Sequence, residues 1–119
     1  MKYCLVGPMT GVPGDNASSF AEAASRLRQK GLDVVSPVEM VQAGLNRTEA
    51  HRRAIRATME ADALILLPGW GRSEGAKLEV LLACTFGKEL YAYHQHRPDN
   101  LERLENVRIV TRAEMIANG

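Results

Sequence analysis

The sequence predicts a single α/β domain built on a five-stranded parallel sheet with helices on both faces. Two observations carry this. Short apolar runs alternate with stretches of helical periodicity along the chain. The 119 residues, 45% hydrophobic and 24% charged, are enough for one hydrophobic core and too apolar for a disordered chain.

The elements follow in order. Residues 3–6 form a continuous apolar run closed by Gly7-Pro8, a buried first strand. A loop over residues 7–14 holds three glycines and two prolines. Asp15 or Asn16 is placed to cap a helix over residues 16–30, where Phe20, Ala23, Ala24 and Leu27 recur at helical spacing and Gly31 provides a stop. Residues 32–36 read as a second strand ended by Pro37, and residues 38–45 as loop with a helical turn. Asn46-Arg47-Thr48-Glu49 resembles a capping box opening a helix that runs to Glu60. Residues 63–67 are the most apolar strand, and a glycine-rich loop over residues 69–75 leads into a helix over residues 74–86, stopped by Gly87. Residues 89–93 give the fourth strand, 94–100 a polar loop, 107–110 the fifth strand and 112–117 a short terminal helix.

Composition excludes several function classes. Fifteen basic residues against fourteen acidic ones leave a formal charge of +1, so neither a nucleic-acid polymer nor a membrane surface is the expected partner. Cys4 and Cys84 are too few for a disulfide framework or a four-ligand zinc site, and both lie in apolar stretches as expected buried, reduced thiols. No His, Cys and Asp cluster has metal-ligand spacing, and no cofactor is expected. Residues 1–3 lead straight into the first strand without a cleavage site, and the apolar run at residues 61–68 contains Asp62 and is too short to span a bilayer. The expected compartment is the cytoplasm.

In a parallel sheet the ligand sits beyond the C-terminal strand ends, here at the loops over residues 7–14, 37–47 and 69–75. The third loop follows the most apolar strand and opens a helix, so its amides attract anions. Arg72 and Ser73 add a charge and a hydroxyl suited to phosphate, and Gly75 allows close approach. An ordinary turn with a serine cap is the alternative. The spacing matches neither the Walker A loop nor the dinucleotide fingerprint. Glu79 follows among Ala76, Leu78, Val80 and Leu81. A carboxylate there is either a partly exposed, ion-paired helix residue or a group held at the cleft floor as nucleophile or stabiliser of a cationic transition state. Gly7, Met9, Thr10 and Gly11 could wrap a sugar, or form a plain turn. Trp70 could stack on a base or serve as a packing anchor. Asp62 reads as a junction cap. His51, Arg52, Arg53 and Arg56 form a basic stretch, mostly solvated, from which one or two could reach a phosphate or a partner subunit. His94 and His96 read as surface residues.

Three segments, residues 4–11, residues 60–70, and Ser73-x-Gly75-Ala76-x-x-Glu79-x-x-x-Ala83, resemble the nucleoside 2-deoxyribosyltransferase-like superfamily, and within it the DUF4406 branch. The resemblance spans roughly residues 2–93. It implies a flavodoxin-like, three-layer fold with a five-stranded parallel sheet, assembled as a homodimer or larger homo-oligomer. It implies cleavage of the N-glycosidic bond of a nucleoside or nucleoside 5′-monophosphate, as hydrolase or deoxyribosyltransferase. Glu79 matches the nucleophile, Ser73 and Gly75 the phosphate-holding positions, and residues 7–11 the sugar loop. Relatives carry an aspartate on the middle helix where this chain has Ala54. Alanine transfers no proton, so a non-catalytic nucleotide-binding module, a sensor or sequestering protein, is the alternative function.

Overall fold

The chain folds into β1 (Lys2–Val6), a 3₁₀ turn (Pro13–Asn16), α1 (Ala17–Gln29), β2 (Asp33–Val35), α2 (Pro37–Met40), α3 (Arg47–Glu60), β3 (Ala63–Leu66), a second 3₁₀ turn (Trp70–Arg72), α4 (Glu74–Thr85), β4 (Glu89–Tyr93) and β5 (Leu101–Leu104). The computed structural model describes residues 1–9, 12–40 and 46–109. Thr10 and Gly11 of the first loop, residues 41–45, Val110 and the expected terminal helix at 112–117 lie outside the described residues.

One sheet has the order β2-β1-β3-β4-β5. β1 pairs parallel with β2 and β3, and β3 parallel with β4, in the register Tyr3 to Ala63 and Ala63 to Glu89. Side-chain alternation splits the core between the two faces. Leu5 and Ile65 pack with Phe20, Ala23, Ala24 and Leu27 of α1. Val6, Leu64 and Leu66 point the other way, against Ala76, Val80 and Ala83 of α4. Cys4 packs beside Ala57 of α3.

The expectation of a fully parallel sheet is corrected: β5 runs antiparallel to β4, with Leu90 opposite Leu104 and Tyr93 opposite Leu101. Chain length explains this. Residues 94–100 are all that link β4 to β5, and a parallel crossover needs about a dozen or more residues. The link closes as a hairpin loop: His94 N–H donates to Asn100 O at 2.7 Å, and Asn100 Nδ2 donates to His94 O at 2.8 Å. Asn100 takes the left-handed φ of 59° that asparagine tolerates. The fifth strand is therefore at Leu101–Leu104, and residues 107–109, the described part of the expected strand, are not in the sheet. Val107 and Ile109 are apolar because they pack, half-buried, on the α4-side core without pairing to the sheet.

The helix starts divide. Asn46 caps α3 as expected, its side chain accepting from Glu49 N–H at 2.8 Å, and Ser73 caps α4, its Oγ accepting from Ala76 N–H at 3.2 Å. Asn16 does not cap α1 through its side chain. It has a left-handed φ of 63° and joins the 3₁₀ turn to the helix. Asp62 acts at its junction, Oδ2 accepting from Lys2 N–H at 2.7 Å, which ties the start of β1 to β3. Cys4 is buried as expected. Cys84 is not: it lies exposed on the outer side of α4. Among the described residues no helix is long and apolar enough to cross a membrane.

Candidate functional site

α3 and α4 both connect parallel strands, so they run side by side from the C-terminal edge of the sheet. Their N-terminal halves flank a cleft of about 510 Å³, closed at the sheet by Gly7 and Met9 after β1 and by Pro37 after β2. From α4 and the turn before it come Arg72, Ser73, Glu74, Gly75, Ala76 and Glu79; from α3 come Arg47, Ala50, His51 and Ala54, with the cap residue Asn46.

Glu79 is only 7% exposed. Among the described residues no hydrogen bond or ion pair reaches its carboxylate. Burial pushes its pKa up to about 7, because ionisation in the apolar wall is costly. Below it, the Cys4 thiol is pushed up to about 12, first by burial and then by the charge of Glu79. Among the described residues this acid has no cationic partner, and Ala54 and Ala76 line the same cleft, so a ligand with a positive centre would compensate its charge.

The first turn of α4 is the polar end of the cleft. Ser73 Oγ and O take the amides of Ala76 and Lys77, at 3.2 and 2.9 Å. The amides of Glu74 and Gly75 have no partner among the described residues. Glu74 itself pairs outward with Lys77 at 3.0 Å. Gly75 leaves room for the His51 ring: a Cβ there would lie 3.0 Å from His51 Cε1. Gly7 serves likewise at the sheet, where a Cβ would meet Leu67 Cβ at 3.0 Å.

Of the sequence-predicted residues, the structure brings Gly7, Met9, Arg72, Ser73, Gly75 and Glu79 to one cleft. Thr10 and Gly11 lie outside the described residues. Trp70 does not line the cleft; it is half-buried against the core between β3 and α4, a packing anchor. Arg72 stands on a rim shared with a second cleft of about 390 Å³ on the α1 side, lined by Pro8, Leu67 and Tyr93. Of the basic stretch, Arg52 and Arg53 turn to Glu49, at 3.8 and 3.6 Å, and His51 enters the cleft. Asn46 and Arg47 also line it, unforeseen as site residues. His94 sits at the surface against Glu102, 2.8 Å away, and His96 is exposed. Among the described residues no group of His, Cys, Asp and Glu could hold a metal ion.

Residues 1–92 match the family model described as Domain of unknown function (DUF4406). The chain belongs to the DUF4406 family. No curated protein matches it. The matched span ends within β4, so it contains both glycine-bearing loops, α3, α4 and every residue of the cleft, while β5 falls outside it.

Proposed function

We propose that the chain cleaves the N-glycosidic bond of a nucleoside or nucleoside 5′-monophosphate, with Glu79 as nucleophile. The reading is supported above all by Glu79 itself, 7% exposed and without an ion-pair partner among the described residues, in the wall of a cleft whose other end is the N-terminus of α4. Departure of a base from C1′ leaves positive charge on the sugar, and a desolvated carboxylate beside it gains the partner it lacks. In the step proposed, the ionised Glu79 carboxylate attacks C1′ as the C1′–N electron pair leaves with the base, which takes a proton from solvent. Water or the ring nitrogen of a second base then attacks C1′, breaks the C1′–O bond to Glu79, loses a proton to solvent and frees the carboxylate. The superfamily resemblance and a flavodoxin-like descent fit the same picture, since the crevice lies where strand order reverses between β1 and β3. Glu79→Gln is expected to abolish release of free base, followed by chromatography, while nucleotide binding persists. An unchanged rate of release would remove Glu79 from the role.

A second reading has its own observation. Ala54 lines the cleft, where the aspartate of relatives would stand, and has no proton to give the departing base. Losing a positioned acid costs about 10²–10⁴-fold in rate. Binding of nucleotides by the native chain with no base released over hours would favour a sensor or sequestering module.

Homo-oligomerisation is part of the proposal. Leu78, Leu81 and Phe86 are 40%, 40% and 61% exposed along the outer side of α4, an apolar face that a second copy would cover.

A further inference from the structure

We propose that the second cleft, on the α1 side of the sheet edge, is a binding site for a small organic carboxylate: Arg72 and Tyr93 line it, and neither the guanidinium of the one nor the hydroxyl of the other has a partner among the described residues. The inference stands apart from the nucleotide reading, which concerns the cleft between α3 and α4.

The cleft measures about 390 Å³, within the range of small-molecule sites. It lies between the loops after β1 and β3, the start of α1 and the end of β4. Pro8, Val12, Leu67 and Pro68 give it apolar walls. Tyr93, the last residue of β4, is 5% exposed and packs in the α1-side core, with its hydroxyl buried and without a hydrogen bond among the described residues. A buried hydroxyl in that condition costs free energy until something completes it. Burial holds the phenol above its ordinary pKa, so it keeps its proton and stands ready as a donor. Arg26 lies near it on α1, but that guanidinium is held by Glu22 at 3.0 Å and by Gln95 O at 2.7 Å.

Charge decides the class of ligand. Glu22, the acid that lines the cleft, is already compensated: Arg26 pairs with it, and Gln95 Nε2 donates to its two oxygens at 3.1 and 3.2 Å. Arg72 is the lining cation, and no described carboxylate pairs with it. Its guanidinium lies over the loop after β3, where a Cβ on Gly69 would be 3.3 Å from Arg72 Nη2 and 3.4 Å from Pro8 Cγ. Gly69, at a left-handed φ of 87°, has no such atom and leaves the charge beside an apolar wall. Guanidinium and phenol are both donors, so the head group they suit is an acceptor. A planar guanidinium matches the two oxygens of a carboxylate. One unpaired positive charge suits a monoanion, whereas a phosphomonoester dianion would bring a second negative charge into a cleft that already holds the Glu22 carboxylate. The apolar walls suit a hydrocarbon body behind the head group.

The test is amide chemical-shift mapping of the full-length chain by two-dimensional NMR. The probes are benzoate, its neutral counterpart benzamide, and inorganic phosphate. Benzoate is expected to shift the amides of Ser19, Gly69 and Gln95 and to leave those of Ala50, Ala54 and Glu79 in place, with a Kd of about 1 mM, the strength open to so small a ligand. Benzamide, which lacks the charge, is expected to bind about 10-fold more weakly, and Arg72→Gln to remove that difference. Tyr93→Phe is expected to weaken benzoate about 10-fold while its Tm holds or rises, because the hydroxyl removed has no partner among the described residues. A lowered Tm in Tyr93→Phe would show that the fold itself uses the hydroxyl, and would overturn the proposal. So would shifts confined to the α3–α4 cleft, phosphate matching benzoate at Ser19, Gly69 and Gln95, no shift with benzoate in tenfold excess over that Kd, or equal benzoate affinity with and without the hydroxyl. Base release is measured separately and bears on Glu79 alone, so the two readings stand or fall independently.

Discussion

At the scale of single residues, Glu79 couples the cleft to stability. Its carboxyl has a pKa of about 7 in the folded chain against an ordinary 4.5. Between those values the native state holds a proton that the unfolded chain has shed, so this group's contribution is fully present below pH 4.5 and is lost as the pH rises to 7. The difference amounts to roughly 3 kcal/mol at 1.36 kcal/mol per unit. Glutamine resembles the neutral acid, so Glu79→Gln is expected to match the native chain near pH 4.5 and to exceed it in stability above pH 7, by up to roughly 3 kcal/mol, in urea unfolding across pH. A stability difference that stays flat with pH would show a solvated carboxylate. The thiols differ in the same way. Cys4, 1% exposed with its pKa near 12, is expected to resist iodoacetamide until the chain unfolds, whereas Cys84, exposed on the outer side of α4 in the single chain, is expected to react in a folded monomer and more slowly where a second copy covers that side, as mass spectrometry of the labelled protein would report. Glu79 was legible in the sequence because an acid stood in an apolar run. Which member of the basic stretch lines the cleft was not legible, because the place of His51 depends on the missing side chain of Gly75, 24 residues further along the chain.

At the scale of elements, local chemistry was readable where a side chain closes its own turn. Asn46 caps α3 at the predicted position, Ser73 caps α4 as the alternative reading of its loop has it, and the bounds of β4 match the prediction, because caps and buried runs are short-range features. The last strand was misplaced because periodicity cannot distinguish burial by pairing from burial by packing. Leu101-Glu102-Arg103-Leu104 is polar in its middle, as an exposed edge strand is, while the more apolar Val107 and Ile109 only rest on the core. The close approach of β1 to β3 at the cleft floor was equally hidden. Gly7 has no Cβ, and one added there would sit 3.0 Å from Leu67 Cβ, a side chain 1% exposed that has nowhere to move. Gly7→Ala is expected to cost about 1–3 kcal/mol by overpacking, seen as a lowered Tm. Gly75→Ala, whose neighbour is an exposed ring, is expected to leave the Tm almost unchanged. The pair separates a glycine that packs the scaffold from one that leaves room for a neighbouring exposed ring.

At the scale of the whole molecule, the two faces of the sheet are covered unequally. α1 has a conventional polar outer side, held by Glu22 with Arg26 at 3.0 Å and by Arg28 with Glu39 at 2.7 Å. α4 buries Ala76, Val80 and Ala83 against the sheet, and Leu78, Leu81 and Phe86 are exposed on its other side, beside the outward Glu74–Lys77 pair. Exposed leucine and phenylalanine side chains grouped on one helix are an apolar patch that a partner would cover. On the same side of the sheet Met59 of α3 is 36% exposed. A second copy meeting this face along α4 would bury it while leaving the cleft, which opens at the N-terminal ends of α3 and α4, free to take ligand. The native chain is therefore expected to sediment as a dimer or larger species, and Leu81→Glu, which places a charge at the middle of the stripe, as a monomer. Leu81 is 40% exposed in the single chain, so the substitution leaves the fold of each copy in place. Nucleotide affinity in Leu81→Glu reports whether the cleft is complete within one chain. Unchanged affinity in the monomer makes it so, and a native chain that sediments as a monomer would leave the outer face of α4 without the partner assigned to it.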